Sequence, residues 1–245
     1  MKKILLIVAG FLFAISVFSQ TDSLPETKKD RRSINLAAKA NDHLMIQFGY
    51  AGWSGTPDSI KTTGLPRSFN MYFMLAFPFK TDPRFSIAIG PGIGTDNIYF
   101  DKMYVGIKDA TSTTLRFQNL ADTSHFKKYK LVTAWLEAPV EIRFSSDPEN
   151  YKRGVKVALG AKVGTLLSAH VKGKNLVDKN NTQILAYTQK ETSKHFFNST
   201  RLSVISRIGW GNFTLYGSYQ INPLFKEGVG PDIKPYSIGL TLSGL

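Results

Sequence analysis

Apolar side chains recur at every second position in eight separate stretches of this chain, and the spacing predicts a β-strand in each. In the stretch 44 to 53, Leu44, Ile46, Phe48 and Tyr50 share one face and Met45, Gln47, Gly49 and Ala51 the other. The stretch 68 to 79 sets Phe69, Met71, Phe73, Leu75, Phe77 and Phe79 against Ser68, Asn70, Tyr72, Met74 and Ala76. From 85 to 94, isoleucines and Phe85 oppose Ser86, Ala88 and glycines. The stretches 130 to 144, 154 to 169, 200 to 208, 213 to 221 and 235 to 244 continue the pattern, the last with Tyr236, Ile238, Leu240 and Leu242 against Ser237, Gly239, Thr241 and Ser243.

The connections between these stretches run 14, 5, 35, 9, 30, 4 and 13 residues, long and short in strict alternation. A membrane barrel with long outer loops and short periplasmic turns has that order. The short connections carry turn residues: Lys80-Thr81-Asp82-Pro83, Ser145 to Pro148, and Gly209-Trp210-Gly211-Asn212. A soluble sandwich or lipocalin-like barrel also alternates at period two, but its polar face meets bulk water and carries Lys and Glu. Here the polar face of the last stretch is only Ser, Gly and Thr. Aromatic residues near strand ends, among them Tyr50, Phe77, Phe79, Phe85, Phe144, Phe213 and Tyr236, fit girdles at two membrane interfaces. The fold expected is therefore all-β, a single antiparallel up-and-down transmembrane β-barrel of eight strands.

Domain organisation follows from the flanks. Lys2 and Lys3 precede an apolar run from Ile4 to Phe18, and the small residues Val17 and Ser19 stand before a cut ahead of Gln20, so residues 1–19 read as a cleaved signal peptide. Residues 20–43 are polar and read as a periplasmic linker, and 44–245 as the barrel, placed in the outer membrane. Later in the chain no apolar run approaches the roughly 20 residues of a spanning helix. There is no cysteine among the 245 residues, so stability has to come from backbone hydrogen bonds rather than disulfides.

The net charge of +13 raises the question of a polyanionic partner. For a surface protein that partner is lipopolysaccharide phosphate rather than nucleic acid. The connection 170 to 199 holds Lys172, Lys174, Lys179, Lys190 and Lys194 against Asp178 and Glu191, although a solvated loop is the plainer reading of such a run, since a charge run seldom binds anything specific.

Charges also fall on the inward parity. Glu137, Glu141 and Arg143 do so in the fourth stretch, and Lys156 and Lys162 in the fifth. One hairpin register sets Glu141 opposite Lys156, and a shift by two sets Glu137 opposite Lys162. Arg207 and Arg201 of the sixth stretch face the same interior. Paired carboxylates are the equipment of a glycosidase, but a carboxylate beside Lys and Arg is held ionised, the opposite of a general acid. A structural ion-pair network filling the lumen is the expectation, with Trp53 and Trp135 as inward plugs. No cofactor is expected. Gly90-Pro91-Gly92-Ile93-Gly94 lies inside a strand, so it signals a bend or close interior packing rather than a phosphate loop. His43, His125, His170 and His195 lack ligand spacing, and no nucleophile elbow is present.

Two features strain the pattern. Pro139 sits mid-strand, where a bulge or break is expected. Segments 98 to 107 and 113 to 118 alternate well enough for two further strands and a ten-stranded barrel, but a hairpin projecting above the membrane suits the 35-residue connection better.

The sequences LEAPVEIRF at 136 to 144, GVKVALGAKVGTLL at 154 to 167 and SYQINPLFKEGVGPDIKPYSIGLTLSGL at 218 to 245, with a leader ending in FSQ, resemble the Bacteroidota outer-membrane β-barrel family, the PorT-like group. The resemblance implies an outer-membrane barrel, generally of eight strands, and brings no catalytic residues. The expected role is a non-enzymatic surface or scaffold protein, with loops 95 to 129 and 170 to 199 touching lipopolysaccharide or a partner protein and an assisting role in secretion allowed by the resemblance. The rival expectations are a narrow porin-like channel for small solutes and a lipid-modifying barrel enzyme.

Overall fold

A computed structural model describes residues 44–109, 112–150 and 153–244; the expected signal peptide and linker lie outside them. Thirteen strands occur in chain order: β1 (Leu44–Ser54), β2 (Arg67–Phe73), β3 (Leu75–Pro78), β4 (Phe85–Ile89), β5 (Gly92–Phe100), β6 (Met103–Val105), β7 (Phe117–Asn119), β8 (His125–Ser145), β9 (Val155–Val177), β10 (Gln183–Thr192), β11 (Thr200–Trp210), β12 (Phe213–Gln220) and β13 (Lys234–Ser243). All pairings are antiparallel. The ladder β9-β11-β12-β13-β1-β2-β5-β8 returns to β9 and so closes. β3 extends β2 and β4 extends β5, which leaves eight staves, as the alternation predicted.

Interruption of a stave does not change its register. The pairing Met71↔Ile93 of β2 with β5 and Leu75↔Ile89 of β3 with β4 belong to one continuous register. The gap falls at Gly90-Pro91, because Pro91 has no N–H for the ladder. Phe73 N donates to the Pro91 carbonyl at 2.9 Å, and Gly90 N to the Pro139 carbonyl at 3.4 Å. Contrary to the bulge or break expected at Pro139, β8 is not interrupted there. β8 runs unbroken, and the proline's missing donor is absorbed beside the Gly90-Pro91 gap in the next stave. The irregularity of the hairpin lies higher, where Ala134 pairs Ser168 but Trp135 pairs Leu166, leaving Leu167 as an extra residue in β9.

The outward positions form a band of exposed apolar side chains on every stave, from Phe48 and Phe69 through Leu136, Ile142, Leu159, Leu202 and Leu215 to Ile238 and Leu240. This is the lipid-facing surface of a transmembrane barrel. Aromatics border it at both ends. Phe79, Phe85, Trp210 and Phe213 ring the short-turn end, where Phe85 and Phe144 pack with centroids 5.2 Å apart, and Tyr50 and Tyr236 meet at 6.4 Å near the long-loop end. The short turns are tightly closed. In one of them Asp82 accepts bonds from Arg84 N and from the Arg84 guanidinium at 2.8 to 3.1 Å, which holds the Asp82 carboxyl below the usual range.

Above the band the staves are unequal. β8 and β9 extend far past their neighbours, and β10 pairs along the β9 extension to give a tall three-stranded wall. The connection 170 to 199 is thus mostly sheet rather than loop. β6 and β7 form the hairpin expected in the 35-residue connection. It does not project, however: Met103, Val105 and Ile107 are buried over the barrel mouth. Residues 98 to 100 belong to β5, so the barrel has eight staves and not ten.

Candidate functional site

Inside the band, the bore is crossed by two tiers of charge. In the tier nearer the long loops, Glu137 of β8 is the hub. Its Oε1 accepts from Arg201 Nη1 at 3.0 Å, and its Oε2 lies 3.1 Å from Lys162 Nζ and accepts from Tyr72 Oη at 2.5 Å. Arg201 also donates to Asp96 Oδ2 at 2.6 Å and to Gln220 Oε1 at 3.0 Å, and its guanidinium lies 5.1 Å from the Trp135 ring centre. Two carboxylates thus balance two cations. The Glu137 side chain is fully buried and that of Lys162 is 4 % exposed. Such groups persist away from water only when paired and hydrogen-bonded. Glycines make the room: a Cβ on Gly94 would stand 2.6 Å from Glu137 Oε2, and one on Gly164 3.1 Å from its Cγ.

The tier nearer the short turns is built on Glu141. Arg143 Nε donates to its Oε2 at 2.8 Å, while Arg207 grips both oxygens, Nε to Oε1 at 3.1 Å and Nη2 to Oε2 at 2.6 Å. This is the bidentate geometry at which guanidinium excels. Lys156 stands in β9 opposite Ser145 and lines the same small end cavity as Arg143 and Arg207. Between the tiers, bounded by Tyr72, Glu141, Lys162 and Arg207, remains a cavity of about 10 Å³, room for about one water. A polar ladder continues sideways, with Asn70 donating to Gln47 at 3.2 Å, Gln47 to Thr241 at 3.2 Å, and the Ser68 and Tyr216 hydroxyls hydrogen-bonded at 2.6 Å.

Beyond the band the bore closes on an apolar core. Phe100, Val105, Leu131, Phe197, Leu224 and Ile233 pack there with Trp135 at its base. Trp53 meets Phe100 and Phe225 edge-on at 5.6 and 6.2 Å. The four outer connections are tied together by backbone bonds: Thr63 N to Tyr99 O, Leu115 N to Val229 O, and Lys226 N to Phe196 O at 2.7 to 3.0 Å. Asn198 donates to both Pro223 O and Phe225 O at 2.8 Å. Tyr104 joins the β6–β7 hairpin to the tall wall by donating to Glu191 at 3.0 Å, and burial together with that carboxylate pushes its phenol up to about 12.

The structure brings Glu137 together with Lys162 and Glu141 with Arg143 and Arg207. It does not bring Glu141 to Lys156. Neither register weighed from the sequence occurs, since Glu141 pairs Gly160, Glu137 pairs Gly164 and Lys162 pairs Pro139, so the ion pair of Glu137 and Lys162 is diagonal. Asp96 and Tyr72 were missed as members of the network. Asp96 falls in the connection assigned to 95 to 129, although it keeps the parity of Gly92 and Gly94 and was legible as one more inward position. The described histidines are dispersed: His125 binds Thr123 O and faces Asn181, His195 packs on Phe196, and His170 lies on the outer face of the wall.

No protein-family model matches the chain, and no curated protein does. Among solved structures, the chain is similar to Ail, the attachment invasion locus protein of Yersinia pestis. The similarity holds in complex with the heparin analogue sucrose octasulfate (13% identity, TM-score 0.37) and without it (14%, 0.34), over 82% of this chain and 94% of Ail. A triple mutant of Rhodopseudomonas blastica porin aligns at 9% identity and TM-score 0.21, over 82% of this chain and 99% of the porin.

Proposed function

We propose that this chain is an outer-membrane barrel of the surface or scaffold type, non-conducting and non-enzymatic, whose interlocked outer connections contact lipopolysaccharide or a partner protein. The observation that carries the reading is the triple closure of one bore, by the Glu141 tier, the Glu137 tier and the apolar core above them. An eight-stranded barrel has an interior only wide enough for side chains, and here they fill it. Placement in the outer membrane is supported by the apolar outward band around a polar interior on closed strands.

The non-enzymatic part is supported by the setting of the carboxylates: Glu137, Glu141 and Asp96 are each clamped by a guanidinium and buried in the filled bore, out of reach of a substrate. The narrower role in secretion has the PorT-like resemblance behind it and no geometry of its own. The test is a planar-bilayer recording of the purified, folded protein. Silence across the applied voltage range is the expected result, and a reproducible unitary conductance would sink the reading in favour of a narrow channel. A deletion strain with altered lipid A would instead favour the lipid-modifying enzyme.

A further inference from the structure

On the outer face of the tall wall, cations stand in successive rungs of the sheet. One rung runs Tyr99, Lys130, Lys172, Lys190 across β5, β8, β9 and β10, and the next pairs Lys128 with Lys174. On the rung below, Arg67 of β2 is in line with Asn97, Val132 and His170. Like charges directly opposite one another weaken a sheet, yet none of the residues paired on these rungs is acidic. Asp101 lies past the end of β5, and Glu191 is bound to Tyr104 on the opposite face. Lys130, donating to Asn97 Oδ1 at 2.7 Å, is held below the ordinary lysine range by part burial and then by Lys172 and Arg67, so these charges feel one another.

The height of this ledge identifies what would neutralise it. Arg67 is two positions beyond lipid-facing Phe69 on the same outward parity, and Lys130 is six beyond Leu136. At the usual rise and tilt of barrel strands those offsets put the cations roughly 5 to 15 Å above the hydrocarbon, and long basic side chains reach back toward it. That is beside the headgroup layer and not on the crown of the molecule, where a soluble polyanion would dock. We propose that the ledge of Arg67, Lys128, Lys130, Lys172, Lys174 and Lys190 binds the phosphate groups of lipopolysaccharide in the outer leaflet, on one flank of the barrel only. This deepens the surface-barrel reading and rests on it.

The experiment uses the full chain folded into phosphatidylcholine vesicles containing intact lipopolysaccharide, dephosphorylated lipopolysaccharide or neither, with lipid retained on the repurified protein as the readout. Wild type is expected to retain intact lipopolysaccharide in preference to the dephosphorylated form by about tenfold or more. The triple variant Lys130→Gln/Lys172→Gln/Lys190→Gln loses that preference, with a midpoint about a hundredfold weaker at low salt, while its heat-dependent gel shift persists. A control variant, Lys179→Gln/Lys226→Gln, changes neither. Equal retention of both lipids by a folded barrel overturns the ledge and leaves the surface-barrel reading standing, as does competition by soluble heparin at equal phosphate and sulfate charge. A wild-type chain that shows no heat-dependent shift in any vesicle overturns both.

Discussion

Two halves of strand β8 obey opposite rules. From Leu136 to Ser145 its inward residues are Glu137, Pro139, Glu141, Arg143 and Ser145, and its outward ones include Leu136, Val140, Ile142 and Phe144. From Lys128 to Trp135 the inward residues are Tyr129, Leu131, Thr133 and Trp135, all but the threonine in an apolar core, while the outward ones are Lys128, Lys130, Val132 and Ala134. The strand is inside-out where lipid is the solvent and right-side-out where water is. Burial means removal from the surrounding solvent, so the same backbone needs a polar interior within the bilayer and an apolar one above it. The changeover between Leu136 and Lys130 is where the chain itself records the membrane surface. The parity slip at Leu167 in β9 sits at that same level.

The comparison is broken most severely by emptying the charged half. Glu137→Ala leaves Lys162 and Arg201 facing each other without their shared carboxylate, and we expect a loss of about 3–5 kcal/mol, read as a lower urea midpoint of the folded band in lipid. A midpoint equal to wild type would mean that the tier is not a structural element. The boundary is sharpened by placing one substitution on either side of it. Val140→Arg, facing hydrocarbon, costs about 2–4 kcal/mol, whereas Thr188→Arg, exposed opposite Lys174 on the outer face above the boundary, costs about 0–1. Equal costs in a vesicle folding titration would move the boundary. The smallest effect is set by pH. Burial and then Lys190, Lys130 and Lys172 hold His170 below the ordinary histidine range. As pH falls through about 6.5, the unfolded wall takes up a proton before the folded one does, so its stability is complete above that value and declines below it. Amide exchange in β9 and β10 should quicken on acidification, and His170→Gln should abolish the dependence.

The lipid-facing half of the molecule was legible because hydrocarbon demands an apolar residue at every outward position, which makes the alternation nearly unbroken in residues 68 to 79 and 85 to 94. The upper half alternates just as regularly with its phase reversed. Reading apolar as outward therefore ended one strand at Gly94 and began another at Lys130, although β5 continues to Phe100 and β8 starts at His125. For that reason Asp96 and every member of the basic ledge except Lys130 fall in connections when the sequence is read that way. The ion-pair partners were only half legible. Parity placed Glu137, Glu141, Arg143 and Lys162 in the bore, but the register of this part of the hairpin is set by how the connection after Ser145 closes, with Ser145 opposite Lys156, and a period-two pattern does not mark how many residues a turn takes up. Pro139 was misread because its missing donor was weighed within its own strand, without Gly90-Pro91 beside it.

The pairing of β1 with β13, Met45 with Ser243 through Ser54 with Lys234, joins segments about 190 residues apart. Until that last seam is made, β1 and β13 each present an open row of amides, and hydrocarbon offers such groups no partner, at several kcal/mol apiece. The barrel therefore has no comfortable half-built form in lipid. A nascent chain must be carried, unclosed, until its final strand arrives, which makes its assembly an all-or-none event paced by the slowest and most distant contact it contains.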